Sequence, residues 1–147
     1  MKMGLTAVLT ALLAAAPALA DLTAALAEPN LEKRSRKALE NAEKVLSGAR
    51  QAYRGGSLKQ AEAALEEVRE SVLLAHESLK QTGKDPSRSP KHFKHAEIKT
   101  RGLLRHLDDF RQNMGIDDRE TLDRVRAFID KVQKELLMGI MRGKKRK

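Results

Sequence analysis

Apolar residues recur every three or four positions along four long stretches of the chain, the spacing that places one stripe of a helix against a neighbour. We predict four helices, over about 30–54, 58–82, 90–114 and 118–141. The third shows the spacing clearly, with its apolar stripe at Phe93, Ala96, Thr100, Leu103, Leu107, Phe110 and Met114. Short loops within each pair of helices predict an all-α, heptad-packed, antiparallel four-helix bundle with up-down-up-down connectivity.

Local signals place the helix ends. Gly55 and Gly56 are expected to end the first helix, because glycine takes the left-handed backbone conformation without steric cost. Ser57 and Gln60 then match a capping box, in which each side chain accepts a hydrogen bond from the other residue's backbone N–H. Gly83 ends the second helix, before a connection over 84–89.

The third and fourth helices also carry start signals. Ser89 is the expected N-cap of the third helix and Pro90 its first residue, where the missing N–H is not needed. Asp117 and Glu120 provide the corresponding capping pattern for the fourth helix.

The first twenty residues have the features of a secretory signal peptide. Lys2 precedes an apolar run over 5–16 that is short for a membrane span, and Ala18 and Ala20 form a small-residue cleavage pattern before Asp21. We therefore expect residues 1–20 to be removed between Ala20 and Asp21. A second such pattern ends at Ala27 and leaves cleavage there as an alternative.

The remaining segments complete the predicted organisation. Residues 21–29 are expected to form a loose N-terminal arm that could make one or two helical turns before Pro29, and the bundle occupies 30–141 as one domain. Residues 142–147 form a basic tail that is expected to be disordered because of its charge.

The amino-acid composition bears on the cellular compartment of the protein and on the kind of partner that it could bind. The chain has no cysteine and a formal net charge of +9 over 147 residues. Disulfides cannot stabilise it, so its stability must come from an ordinary core. The lack of cysteine and the signal peptide together predict a soluble exported protein. We expect it to be periplasmic in a Gram-negative bacterium and otherwise secreted, and to have no transmembrane span after cleavage. The basic balance favours anionic partners.

Cations recur at helical spacing on the outer face of the third helix, with Ile98 among them. The candidate residues for binding an anionic envelope component or a protein partner are Lys91, Lys94, Lys99, Arg101 and Arg105, together with the tail residues Lys144, Lys145, Arg146 and Lys147. A solvated helix face is the alternative interpretation. Nucleic acid is not expected as a partner, because no aromatic residues interleave the cations as stacking surfaces. The oligomeric state is left open.

A metal site is the second hypothesis for this helix. His92 and His95 are three residues apart, so both imidazoles could reach one ion in a metal-binding sensor or carrier. Two ligands do not complete a site, and the neighbouring lysines oppose a divalent ion. No cofactor is expected.

No arrangement of residues indicates catalysis. The chain has no cysteine nucleophile, no G-x-S-x-G motif, and no serine placed beside a histidine. We therefore expect a non-catalytic binding module. An envelope stress or chaperone-like protein, similar to the small basic helical periplasmic chaperones, is a further alternative, although the paired L-T-x-x-Q motifs of that class are absent.

Residues 49–65, ARQAYRGGSLKQAEAAL, resemble the inner turn of a tetratricopeptide repeat. Small and aromatic residues precede a glycine there, and alanine follows in the next helix. No 34-residue period recurs along the chain, so a repeat solenoid remains the minority alternative to the bundle.

Overall fold

Helices form all the regular structure in residues 17–142, the part of the chain that the computed structural model describes, with side chains from Leu22 onward. The elements are α1 (Pro17–Ala27), α2 (Leu31–Arg54), α3 (Leu58–Gln81), α4 (Lys91–Gln112) and α5 (Glu120–Met141), with a 3-10 turn at Ile116–Asp118. No strand occurs in this part of the chain. The predicted all-α class, with four long helices, is confirmed.

The predicted apolar stripes form the core of the protein. Residues of each long helix that are at most 1% exposed include Ala38, Ala42 and Ala49 of α2, Leu65, Val68 and Val72 of α3, Leu103 and Leu107 of α4, and Leu122, Val125 and Ile129 of α5. Removing this much apolar surface from water is the main favourable contribution to folding. The four long helices therefore pack against one another around one core.

The helices differ in which neighbours they contact. α2 packs most extensively on α3 and also contacts α4, while α5 contacts both α4 and α3. The contact between α3 and α4, which follow each other in the chain, is smaller. As a result α4 lies beside α2, and the polar flanks of these two helices border a shared groove.

Several polar side chains are buried between the helices. Asn41 Nδ2 donates to Ser71 Oγ at 2.9 Å across the α2–α3 contact. Glu97 of α4 is only 7% exposed and accepts hydrogen bonds from Gln133 Nε2 at 3.0 Å and Arg101 Nη2 at 3.1 Å. These bonds offset the cost of removing polar groups from water.

The prediction that glycines follow the ends of the first two long helices is confirmed. Gly56 has φ +86° and Gly83 has φ +68°, values that a residue with a Cβ rarely adopts. The capping box at Ser57 is only half formed. Ser57 Oγ accepts from Gln60 N at 3.4 Å, whereas the Ser57 backbone N–H donates to Ala52 O at 2.9 Å. That bond uses the donor that the Gln60 side chain was expected to satisfy.

The predicted N-terminal caps of α4 and α5 are wrong. α4 begins at Lys91, after Pro90, and no side chain caps it. The N–H of Ser89 donates to Asp85 O at 2.8 Å, so Ser89 belongs to the preceding turn. α5 begins only at Glu120, because the 3-10 turn comes first, and it too has no side-chain cap.

The segment predicted as a loose arm with one or two helical turns is instead part of a helix that packs on α2. α1 continues through Ala27, and Ala25 is completely buried where α1 packs on α2. Lys37 Nζ donates to Glu28 Oε2 at 2.7 Å, and Arg34 Nε donates to Glu28 O at 2.9 Å. A buried alanine and these bonds are what hold the segment to α2.

No helix within residues 17–142 is both long enough and apolar enough to cross a membrane.

The core predicts that truncating two apolar residues of α4 will change the free energy of unfolding by different amounts. Leu107→Ala should lower the free energy of unfolding by about 2–5 kcal/mol, because Leu107 is completely buried and its truncation leaves a cavity. Ile98→Ala, at a position 57% exposed, should change it by less than about 1 kcal/mol. Urea unfolding followed by circular dichroism measures both, and equal losses would contradict the assignment of the two faces.

Candidate functional site

The outer face of α4 carries four cations and one apolar residue at helical spacing. We call Lys91, Lys94, Ile98, Arg101 and Arg105 the cationic row. All five are exposed, and Ile98 lies at the middle of the row. The spacing of three and four residues places them along one side of the helix.

The cations of this row differ in their partners. Arg101 Nη2 lies 3.1 Å from Glu97 Oε2 on the same helix, yet its side chain remains 59% exposed. Within the described residues, Lys91, Lys94 and Arg105 form no ion pair closer than 4.0 Å. These three cations of the row therefore face solvent without a carboxylate of the described residues at ion-pair distance.

Lys99, a candidate from the sequence, lies apart from this row. Its Nζ is 2.9 Å from Glu43 Oε1 of α2, so it joins the two helices. The other candidates, Lys144, Lys145, Arg146 and Lys147, lie outside the described residues.

His92 is engaged by a carboxylate that the sequence did not associate with it. Its Nε2 lies 2.8 Å from Glu32 Oε2 at the start of α2, and Lys84 also pairs with Glu32. The pKa of Glu32 is lowered, first by the hydrogen bond from Lys84 and also by the nearby charges of His92, Lys84 and Lys91. This cluster ties α4 and the preceding connection to α2.

His95 lies one turn further along, toward α2. Partial burial lowers its pKa, and the charges of Arg36, Lys99 and His92 lower it further. This environment therefore favours the neutral form of the imidazole.

The structure does not bring a third metal ligand to this histidine pair. Within residues 17–142, no group of three or more His, Cys, Asp or Glu side chains is arranged to hold an ion. His92 already pairs with Glu32, and His95 lies among cations. His92 is a contact between α4 and α2 through this pair.

The groove between α2 and α4 contains two cavities that are open to solvent. The first, about 310 Å³, is lined by Glu43, Leu46, Ser47, Arg50, Leu103 and His106. The second, about 300 Å³, is lined by Arg50, Tyr53, Arg54, Phe110 and Asn113. Arg50 lines both and therefore lies between them.

Tyr53 connects α2 to the C-terminal end of α4 at one end of this groove. Its ring packs edge-on against Phe110 with the ring centroids 5.8 Å apart. Its hydroxyl donates to Asp118 Oδ2 at 2.9 Å and accepts from Gly115 N at 2.9 Å. Aromatic packing and two hydrogen bonds thus fix the end of α4 and the following turn against α2.

The contribution of α2 to this surface was not predicted from the sequence. Arg36 approaches His95, and Arg50 and Arg54 line the groove, yet none was a candidate. The signal was present as a polar row at helical spacing beside the alanine stripe, at Arg36, Glu43, Ser47, Arg50 and Arg54. Only the contact between α2 and α4 shows that this row faces the third predicted helix.

Comparisons of the chain with protein-family models, with curated proteins and with solved structures find no match.

The lowered pKa of His95 predicts a pH-dependent stability. The pKa is below its ordinary value of 6.5 in the folded protein, so the unfolded chain binds the proton first as the pH falls. The free energy of unfolding should therefore contain a contribution that is present above pH 6.5 and is lost as the pH falls through the folded pKa.

Nuclear magnetic resonance titration of the His95 imidazole should give a midpoint below 6.5. Urea unfolding at about pH 7.5 and about pH 5.5 should show a smaller loss of stability in His95→Gln than in the natural chain. A midpoint above 6.5 would contradict the burial of this side chain.

Proposed function

We propose that this protein is a non-catalytic, exported binding protein that engages an anionic partner through the cationic row of α4. The observation that carries the proposal is that Lys91, Lys94 and Arg105 have no ion-pair partner within the described residues. Unneutralised cations at helical spacing attract carboxylate, phosphate or sulfate groups and accelerate encounter with a partner that bears them.

Two arginines near the C-terminal end of α4 and the start of α5 form ion pairs within the fold. Arg126 Nε donates to Asp108 Oδ1 at 2.5 Å, and Arg111 Nε donates to Asp123 Oδ1 at 2.6 Å. These guanidinium groups lower the pKa of both carboxyl groups. The contrast supports association as the role of the row, because Arg111 of α4 and Arg126 of α5, which connect these two helices, both have carboxylate partners.

Ile98 adds a second kind of contact to the row. It is the most exposed large apolar residue of α4 and has two cations on either side. An apolar group flanked by charges suits a partner surface of mixed character, where the isoleucine is buried on binding and the charges set orientation.

We propose the up-down-up-down arrangement as the finer description of the fold. Contacts between α4 and α5 pair rising with falling residue numbers, as expected for antiparallel helices: Glu97 with Gln133, Asp108 with Arg126, and Arg111 with Asp123. Contacts between α2 and α4 pair residue numbers that rise together, as in Glu32 with His92 and Glu43 with Lys99. Helices α2 and α4 would then be parallel neighbours.

Export is proposed from the signal-peptide features of residues 1–20. The buried Ala25 favours cleavage between Ala20 and Asp21, because cleavage after Ala27 would remove a residue that packs on α2. The mature protein would then be periplasmic in a Gram-negative bacterium and otherwise secreted.

The cleavage site gives a direct prediction. Intact-mass spectrometry of the protein recovered from the exported fraction should give a chain that begins at Asp21. Ala18→Arg combined with Ala20→Arg should leave the chain uncleaved, because the processing site requires small residues there. A mature chain that begins at Glu28 would favour the second site, and recovery of full-length natural chain would contradict export by this signal.

Charge reversal tests the binding surface. Lys94→Glu with Arg105→Glu should remove most retention on immobilised polyglutamate at low salt, because two unneutralised cations become anions. Lys131→Glu with Lys59→Glu is the matched control, since both of these lysines are exposed, lie on other helices and form no ion pair in the described chain. Equal loss in the two variants would show that net charge alone, and not the row, determines retention.

A further inference from the structure

The C-terminal end of α5 exposes a cluster of apolar side chains. Leu137 is 38% exposed, Met138 is 64% exposed and Met141 is 45% exposed, and we call these three residues the α5 patch. Leu137 and Met138 lie four and three residues before Met141, so all three share one side of the helix. Seven large apolar side chains are exposed among the described residues, and three of them lie within these five positions. Apolar surface is therefore concentrated at this helix end.

Contacts with the rest of the fold hold this helix end in place. Leu136 is buried, and Ile140 packs against the core. Gly139 lies so close to Pro86, in the connection between α3 and α4, that a Cβ on the glycine would be 3.2 Å from the proline ring. The α5 patch is therefore the side of a well-packed helix that the described residues leave uncovered.

A basic segment directly follows the α5 patch. Residues 136–147, LLMGIMRGKKRK, contain five cations and no acidic residue. Arg142 is exposed immediately after the patch. The other four cations are Lys144, Lys145, Arg146 and Lys147. The end of the chain thus joins exposed apolar side chains to a high density of positive charge.

This combination favours a lipid surface over a folded protein partner. A specific protein interface uses about 20–30 residues on each side, far more than the three of the α5 patch. A lipid surface needs no matching shape, because apolar side chains enter the boundary between headgroups and acyl chains while lysines and arginines attract anionic headgroups. Either contribution alone binds a membrane weakly, and the end of this chain has both.

A second copy of the chain fits the α5 patch less well. A symmetric dimer through the patch would bring two basic segments, each with five cations, to the same contact. Like charges at close range oppose such a contact. An anionic lipid surface is instead complementary to them.

We propose that the C-terminal end of α5 docks on a membrane surface that contains anionic lipids. The three side chains of the α5 patch enter the headgroup boundary, and Arg142 with the cations of 144–147 binds the lipid phosphates. This surface uses no residue of the cationic row of α4. The inference therefore goes beyond the proposed function and does not depend on it.

Single tryptophan residues report which surface enters the lipid, because the natural chain has no tryptophan. Met138→Trp is compared with Ile98→Trp in the cationic row and with Ile116→Trp in the turn before α5, where the isoleucines are 57% and 81% exposed. With phosphatidylglycerol vesicles, only Met138→Trp should shift its fluorescence emission to shorter wavelength, because only that indole leaves water. Phosphatidylcholine vesicles, which have no net charge, should cause no shift.

Each variant is made in the chain that begins at Asp21. This chain keeps every core residue that the structure describes, from Ala25 to Leu136. It lacks the apolar run over 5–16, which would itself enter lipid. Circular dichroism spectra and urea midpoints that match those of the unsubstituted chain establish that each variant is folded.

Vesicle sedimentation measures the apolar contribution. Met138→Ser with Met141→Ser should weaken binding to phosphatidylglycerol vesicles about tenfold, because two apolar side chains no longer leave water. Leu73→Ser with Ile116→Ser is the matched control at two exposed apolar positions elsewhere, and it should change binding less than about twofold. Equal losses in the two pairs would overturn the inference.

The same measurement tests the basic segment. Lys145→Gln with Arg146→Gln should weaken binding about tenfold, since each cation close to an anionic surface adds to the attraction. Arg54→Gln with Lys59→Gln removes the same charge at the connection between α2 and α3, and should change binding less than about twofold.

The control pair lies far from the α5 patch. Glu66, on the same helix as Lys59, pairs with Arg124 near the start of α5. From Arg124, α5 runs about 25 Å further to Met141 at ~1.5 Å per residue. Charges this far from the lipid are screened, because the Debye length is about 10 Å at about 0.1 M ionic strength.

Each other outcome has a definite meaning. A shift in Ile98→Trp alone would place the lipid on the cationic row, which overturns this inference and leaves the proposed function intact. Binding with no shift in any variant would mean charge attraction alone, and no binding to phosphatidylglycerol would mean no lipid contact, so either result overturns the inference. An emission shift of Met138→Trp that appears without vesicles as the protein concentration rises would show that a second copy covers the patch and would overturn it too.

Discussion

Close packing of α2 on α3 through small side chains is the constraint on which the rest of the structure depends. The chain has only three phenylalanines, one tyrosine and no tryptophan, so large aromatic side chains cannot fill wide gaps between helices. The fully buried alanines Ala38, Ala42 and Ala49 leave little side-chain bulk on the core face of α2, the helix that makes the most extensive contact with α3, and aliphatic side chains of the other helices fill the remaining space. Because α3 covers one side of α2, α4 packs on an adjacent side of α2.

The contact between α2 and α4 determines the character of the candidate site. It is made at one end by the His92–Glu32 pair, at the middle by the Lys99–Glu43 pair, and at the other end by the packing of Tyr53 on Phe110. Between these contacts the two helices leave two cavities that are open to solvent, and Arg50 lines both of them. The same contacts that hold the helices together therefore give the groove its length and its chemistry.

The distribution of ion pairs explains why the outer face of α4 presents cations without ion-pair partners to solvent. Exposed ion pairs contribute little stability individually, but they decide which charges are available to a partner. Arg111 and Arg126 connect α4 to α5, whereas Lys91, Lys94 and Arg105 face solvent. This difference depends on where the acidic residues of neighbouring helices lie, which no single helix reveals.

Sequence reasoning predicted part of this site and missed part of it. Spacing alone identified the cationic row, because residues three and four apart on a helix share a face whatever the helix packs against. It also named Lys99 as a candidate, but it did not identify the ion pair of Lys99 with Glu43, which lies 56 positions earlier in the chain. It omitted Arg50 and Arg54 for the same reason, because their importance arises only from the position of α4.

The sequence by itself determined the helical class, the approximate extent of the four long helices, the composition of the core and the glycine-terminated ends at Gly56 and Gly83. Each depends on a local periodicity or on the conformational freedom of one residue. Tertiary structure decided that residues 22–27 pack as a helix on α2, that α4 lies beside α2, and that the groove carries arginines from one helix and apolar residues from both. These features depend on contacts between residues distant in the chain, whose free energies are set by packing and charge in three dimensions.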